Sequence, residues 1–213
     1  MRLFLIGETG VGKTHTALTI AKKMMDKGKD VLYLDVVERG AEMENKKLQV
    51  QMYQQVFTYE ELSDKLAVEC DLLVIDPLSR LKTLSRRYAR QLFVKQGYYE
   101  MGEKKVIIVN SQLFDLRGWL YQVSNRMERD FLDAMLEKPF VICTGNTDGG
   151  VEDVSGYFAL FDIVAMLYTE GGQKKKEDTY RVVIKKWRGD LNMNGIVMSS
   201  NELIDRILRE VVE

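Results

Sequence analysis

The chain has 213 residues, 46% of them hydrophobic, with 31 Lys+Arg against 32 Asp+Glu and a formal net charge of −1. That length suits one globular domain, and the charge balance gives no bulk attraction to polyanions, so any nucleic-acid contact has to come from a local basic patch. Apolar runs such as 72–75 and 106–109 fall far short of a bilayer span, Arg2 with Leu3 to Ile6 is too short for a secretory signal, and two cysteines with a single histidine exclude disulfide scaffolds and zinc folds, so a cytoplasmic setting with no membrane partner is expected.

Short apolar runs alternate with longer amphipathic stretches, the pattern of βαβ units around a parallel sheet. Arg2 to Ile6 reads as a first strand, a Gly-rich loop follows, and a helix runs from about Lys13 to Lys27, ended by Gly28. Val31 to Val37 reads as the second strand. Past an acidic, polar segment, Tyr59 to Val68 is helical by pattern, and Leu72 to Ile75 is a buried strand closed by Asp76-Pro77. Ser79 to Tyr99 is a basic helical stretch, Lys105 to Val109 a short strand, and Asp115 to Glu137 a long amphipathic helix stopped by Pro139.

Phe140 to Thr144 is a further strand, followed by a turn-forming segment, 145–150. Ile163 to Thr169, Tyr180 to Trp187 and Ile196 to Ser199 are strand candidates whose short joins, one carrying Gly171-Gly172 and Lys174 to Lys176, favour antiparallel hairpins. Asn201 is the expected cap of a last helix with Leu203, Ile204, Ile207, Leu208 and Val211 on one face. No repeat or low-complexity linker interrupts the chain. The expectation is a single α/β domain over 1–213, a mostly parallel sheet flanked by helices with a C-terminal antiparallel β extension.

Gly7-Glu8-Thr9-Gly10-Val11-Gly12-Lys13-Thr14 fits the P-loop pattern GxxxxGK[ST] between a predicted strand and a predicted helix, the context the motif requires. Its glycines let backbone N–H groups close around phosphate oxygens, and the helix N-terminus adds a positive dipole end. Lys13 is expected to reach the β- and γ-phosphates and Thr14 to place its hydroxyl on Mg²⁺. Gly7, Thr9, Gly10, Val11, Gly12 and the following His15 complete the nucleotide-contacting set. Asp76, at the carboxyl end of a buried strand, suits the Walker B role of holding Mg²⁺ through water.

Asp35 and Glu38 end the second strand, where a carboxylate can orient or deprotonate an attacking water. Glu38 is the choice, because its longer side chain sits past the strand end. Two strands end in polar groups suited to sensing a γ-phosphate, Asn110 to Gln112 and Thr144 to Asn146. Only one pair can lie beside the Asp76 strand, and Thr144 with Asn146 is favoured because a long helix precedes them, as a parallel crossover needs. The guanine-reading NKxD signature is absent, since Asn45-Lys46 continues as Lys47-Leu48 and Asn146 is followed by Thr147, so ATP is the expected nucleotide. Lys186 and Arg188, at i and i+2 near the end of a strand, share a face and can reach one phosphate group; as edge-strand charges they would instead discourage sheet-to-sheet aggregation.

The N-terminal P-loop, the carboxylate after the second strand, Asp76, and the K-x-R-G element at Lys186 to Gly189 together resemble the RecA/RadA/KaiC superfamily of ATPases. The likeness is nearest to compact RecA-like ATPases of phages and archaeal viruses, some associated with single-strand annealing. The resemblance implies a RecA-like fold, ATP hydrolysis with Mg²⁺, a water-activating role for Glu38, and Lys186 and Arg188 acting in trans on a neighbouring subunit's γ-phosphate, hence a homo-oligomeric ring or filament. The spacing from Asp35 to Glu38 is longer than the usual pattern, which keeps Asp35 open as the catalytic group. Lys82 to Gln112 looks like an insertion, with Arg86, Arg87, Arg90 and Lys95 among Tyr88, Phe93, Tyr98 and Tyr99. Such interleaving suits single-stranded DNA; an amphipathic helix with core rings and solvated charges, or the lid of a small-molecule kinase, are the other readings. The expected function is a RecA-like ATPase acting on DNA in recombination, annealing or replication. A KaiC-like regulatory switch without DNA contact, and a P-loop kinase, are the alternatives.

Overall fold

The computed structural model describes residues 1–36, 41–51, 53–148, 150–169 and 180–212. Glu38, with Val37, Arg39 and Gly40, and the join carrying Gly171 to Lys176 lie outside the described residues. In chain order the first half runs β1 (Arg2–Gly7), α1 (Lys13–Asp26), β2 (Val31–Val36), α2 (Glu42–Leu48), β3 (Tyr53–Val56), α3 (Tyr59–Lys65) and β4 (Leu72–Asp76). A 3-10 turn (Leu78–Arg80) leads to α4 (Leu81–Gln96), β5 (Tyr99–Met101), β6 (Lys104–Val109), β7 (Gln112–Asp115) and α5 (Leu116–Leu136). Then come β8 (Phe140–Asn146), α6 (Glu152–Ser155), β9 (Ile163–Thr169), β10 (Tyr180–Trp187), β11 (Val197–Ser199) and α7 (Ser200–Val212).

The main sheet has the order β11-β10-β9-β1-β8-β4-β2-β3. The six strands from β9 to β3 are parallel to one another, and β10 and β11 continue the sheet as antiparallel strands. This is the expected RecA-like P-loop architecture, with β8 inserted between the P-loop strand and the Asp76 strand. Alternation along β1 sends Leu3 and Leu5 into one core with α1 and α7, and Phe4 and Ile6 into the other with α3, α4 and α5. All four are fully buried, a state worth about 1.5–3 kcal/mol for each large apolar side chain.

Local chemistry sets the helix ends. Thr58 caps α3 in a reciprocal capping box with Glu61, and Asp115 caps α5 through the N–H groups of Arg117 and Gly118. The expected Asn201 cap is corrected: Ser199 accepts from Glu202 N–H while the Glu202 carboxylate takes the Ser199 N–H, so an S-x-x-E box starts α7 two residues earlier. Nor does the basic stretch run as one helix to Tyr99, because Gly97, at φ 77, ends α4 and Tyr99 enters β5.

The polar segment after the second strand contains α2 and β3, neither of which its pattern announces; α2 buries none of its residues and β3 is a half-buried edge strand. The strand at Lys104–Val109 belongs to a second sheet, β5-β6-β7, antiparallel throughout. Asn110 and Ser111, at φ 49 and 65, form the two-residue turn that joins β6 to β7, and positive φ at both central positions is the type I′ hairpin geometry. Leu81 and Leu84 of α4, and Phe131 and Met135 of α5, join the main core, whereas Phe93 of α4 and Trp119 of α5 form a small core with Ile107 of β6. The insertion is thus a lobe carried on two helices, starting where β4 ends.

Candidate functional site

The loop between β1 and α1 is shaped by two glycines. Gly7 sits at φ +149, where a Cβ would lie 2.4 Å from the Leu167 carbonyl oxygen of β9, so no side chain fits as the chain leaves the sheet. Gly12, at φ +87, turns the chain into α1 without a side-chain cap, leaving the first N–H groups of the helix without intrahelical acceptors. Thr16, Ala17, Ile20, Ala21 and Met24 seat α1 on the sheet. Lys13 is 6% exposed, and its Nζ donates to the carbonyls of Gly7 at 2.9 Å and Glu8 at 2.6 Å. The Asp148 carboxylate accepts from both the Oγ1 and the N–H of Thr9. Those two bonds hold Asp148 below the usual carboxylate range, with a further pull from Lys13.

A row of buried polar residues crosses the carboxyl ends of three adjacent strands. Asp35 of β2 pairs in register with Asp76 of β4, and the Thr144 hydroxyl of β8 donates to Asp76 Oδ1. The second Asp76 oxygen accepts from Tyr33 Oη at 2.6 Å, and Asp35 accepts from Tyr53 Oη at 2.5 Å. The two tyrosines stack with ring centroids 5.7 Å apart. Burial, and after it the Asp76 charge, raises the Tyr33 phenol well above its ordinary range; burial and the bond to Asp35 raise Tyr53. Both hydroxyls therefore remain donors, and the Asp76 carboxylate is held by two neutral groups in a fixed orientation.

A cavity of about 320 Å³ opens over the loop, lined by Thr9, Gly10, Gly12, Lys13, Thr14, His15, Asp76, Asn146, Met43, Glu44 and Tyr180. Eight of these lining residues are expected site residues. Asn146 stands opposite Gly7 in the β1–β8 register, so β8, with Thr144 and Asn146, takes the slot beside Asp76, and Asn110 lies in the hairpin turn of the second sheet. His15 Nδ1 pairs with Glu44 Oε1 at 3.0 Å, tying α1 to α2. Val11 is buried behind the loop. Among the described residues no cluster of three or more His, Cys, Asp or Glu is placed to hold a metal unaided. The Thr14 hydroxyl and the Asp76 carboxylate are sparse oxygen donors that fit Mg²⁺, which keeps several waters and shares itself with substrate phosphates.

Lys186 and Arg188 are not brought to this cavity. β10 runs antiparallel to β9, pairing Trp187 with Ile163, which puts both residues at the end of the sheet where β1 begins. Lys186 Nζ donates to the carbonyls of Phe158 at 2.8 Å and Phe161 at 2.6 Å. Arg188 pairs with Asp162 at 3.0 Å and donates to the Ala159 carbonyl. Both cations therefore close the turn 158–162 of their own chain, away from their own chain's cavity; a role in trans on a neighbouring subunit would first have to release these contacts. On the lobe, Tyr88 stacks on Tyr59 and Phe93 is buried, whereas Arg86, Arg87, Arg90, Lys95, Tyr98 and Tyr99 are exposed.

Sequence reasoning missed Tyr33, Tyr53, Asp148, Glu44 and Tyr180. A tyrosine in strand alternation reads as core, and only the register shows that Tyr33 reaches Asp76. Asp148 stood in view as a turn former, two positions after Asn146.

The family description "IstB-like ATP binding protein" matches residues 1–147. Among solved structures, the chain is similar to the flagellar accessory protein FlaH of Methanocaldococcus jannaschii, at 13% identity over 93% of this chain and 82% of that one, with a TM-score of 0.47. None of the curated proteins matches the chain. No helix among the described residues is long and apolar enough to cross a membrane.

Proposed function

Because the chain belongs to the family of IstB-like ATP-binding proteins, we propose that it is a P-loop ATPase that binds ATP with Mg²⁺ in the cavity over residues 9–15 and hydrolyses it. The observation that carries this reading is the meeting in one cavity of the loop, Lys13 and Thr14 with Asp76 and Asn146 from two adjacent strands. On binding, Lys13 exchanges the Gly7 and Glu8 carbonyls for phosphate oxygens, a stronger charge-assisted partner. The N–H groups at the start of α1 face the phosphates with the positive end of the helix. Thr14 and Asp76 would hold Mg²⁺, which would supply charge stabilisation at the transferred phosphoryl. Asn146 contacts the γ-phosphate from β8, and Glu38 orients the attacking water.

The proposal extends to DNA. Arg86, Arg87 and Arg90 lie exposed on α4, and α4 follows Asp76 after only Pro77 and one 3-10 turn, so a ligand on the lobe and a nucleotide in the cavity pull on the same strand end. Single-stranded DNA would lie along these cations with the exposed Tyr99 available for stacking. ATP turnover measured with and without single-stranded DNA tests this. Stimulation is expected, falling steeply with salt and shrinking in an Arg86→Ala/Arg90→Ala chain whose basal turnover is unchanged. Turnover indifferent to DNA at low salt would instead favour a nucleotide-dependent switch of the KaiC kind.

A further inference from the structure

Tyr180 opens β10, and its ring lies over the phosphate loop. A methyl group placed on Gly12 would stand 3.0, 3.1 and 3.2 Å from Cδ2, Cε2 and Cγ of that ring. Three consecutive ring atoms at so nearly one distance put Gly12 over the ring face, because an edge-on approach would leave the outer two clearly farther away than the middle one. Tyr180 also lines the cavity, although phosphate recognition has no use for an aromatic ring.

Sheet order gives the ring a side. Outward from β1, Asp76 is reached through β8 and β4, and Tyr180 on the opposite flank through β9 and β10. A nucleotide whose metal and terminal phosphate lie toward Asp76, with its β-phosphate at the Gly12–Thr14 amides, directs its nucleoside half away from Asp76, toward the flank of Tyr180. We propose that Tyr180 is the aromatic wall of the nucleoside subsite, packing against the base and ribose of the bound nucleotide while its other face rests on Gly12. This inference rests on the nucleotide reading of the cavity. A ring stacks on any base, since every base presents a π-face, so Tyr180 adds affinity without choosing adenine over guanine, in keeping with the missing base-reading signature.

Calorimetric binding of ATP, GTP and inorganic tripolyphosphate, each with Mg²⁺, to wild type, Tyr180→Phe, Tyr180→Leu and Tyr180→Ala tests the assignment. Tyr180→Ala and Tyr180→Leu are expected to weaken ATP and GTP alike, roughly 10-fold for a lost stack. Tripolyphosphate affinity should stay at the wild-type value, which also certifies a folded variant, and Tyr180→Phe should keep ATP affinity. Equal weakening of ATP and tripolyphosphate would make the ring a brace for Gly12 and overturn the inference, as would unchanged ATP affinity. A wild-type chain that binds neither ligand would overturn the nucleotide reading itself, and the inference with it.

Discussion

Replacing Lys13 with Ala is expected to lower ATP turnover by at least about 10²-fold, the scale on which removal of one preorganised charge-stabilising donor acts. Lys13 is 6% exposed and its ammonium rests on two backbone carbonyls at the cavity wall. It has already left bulk water, and exchange of the two carbonyls for phosphate oxygens gains charge–charge attraction in a site of low dielectric. With alanine there, the Gly7 and Glu8 carbonyls would point their negative ends toward the incoming phosphates with no cation between. Lys13→Arg should not restore activity, because a planar guanidinium does not fit a pocket built for a compact ammonium. Phosphate release at saturating ATP, with melting temperature as a control for folding, checks this; wild-type turnover in Lys13→Ala would remove the loop from the reaction.

Glu38→Gln should keep ATP affinity and lower turnover by about 10² to 10⁴, the usual worth of general-base catalysis. The contrast with Asp35 makes the test sharp. Asp35 is 2% exposed and accepts the Tyr53 hydroxyl at 2.5 Å, so it is a packed and hydrogen-bonded member of the row that includes Asp76. Asp35→Asn with its NH₂ toward Tyr53 meets a donor where an acceptor is needed, at a cost of about 1–3 kcal/mol for an unsatisfied buried group. Its signature is a lower melting temperature. If Asp35→Asn instead abolishes turnover at an unchanged melting temperature while Glu38→Gln stays active, the base is Asp35.

The loop at Gly7 to Thr14 and the strand-end Asp76 were legible in the sequence because the P-loop pattern fixes residue types at a set spacing between strand and helix, and the parallel strands other than β3 because each is a short apolar run buried on both faces. Thr144 and Asn146 were separable from Asn110 by the length of α5, the crossover that a parallel strand demands. α2 and β3 escaped because neither has a buried stripe to set a period. The engagement of Lys186 and Arg188 escaped for a different reason: residues two apart on a strand share a face, but which end of the sheet they occupy depends on strand direction, and the antiparallel direction of β10 against β9 carries them away from the loop. Tyr180 reached the cavity by that same reversal, since it opens the strand that Trp187 ends.

Hydrogen exchange of the backbone amides, followed with and without ATP–Mg²⁺, tests most directly that the cavity over the β1–α1 loop is the nucleotide site. Exchange should slow at Gly10, Gly12, Lys13 and Thr14, whose N–H groups would gain phosphate acceptors, and at a fixed subsaturating ATP concentration the slowing should be smaller in Lys13→Ala. Protection confined to another part of the chain, or exchange at these four amides unchanged by saturating nucleotide, would contradict it.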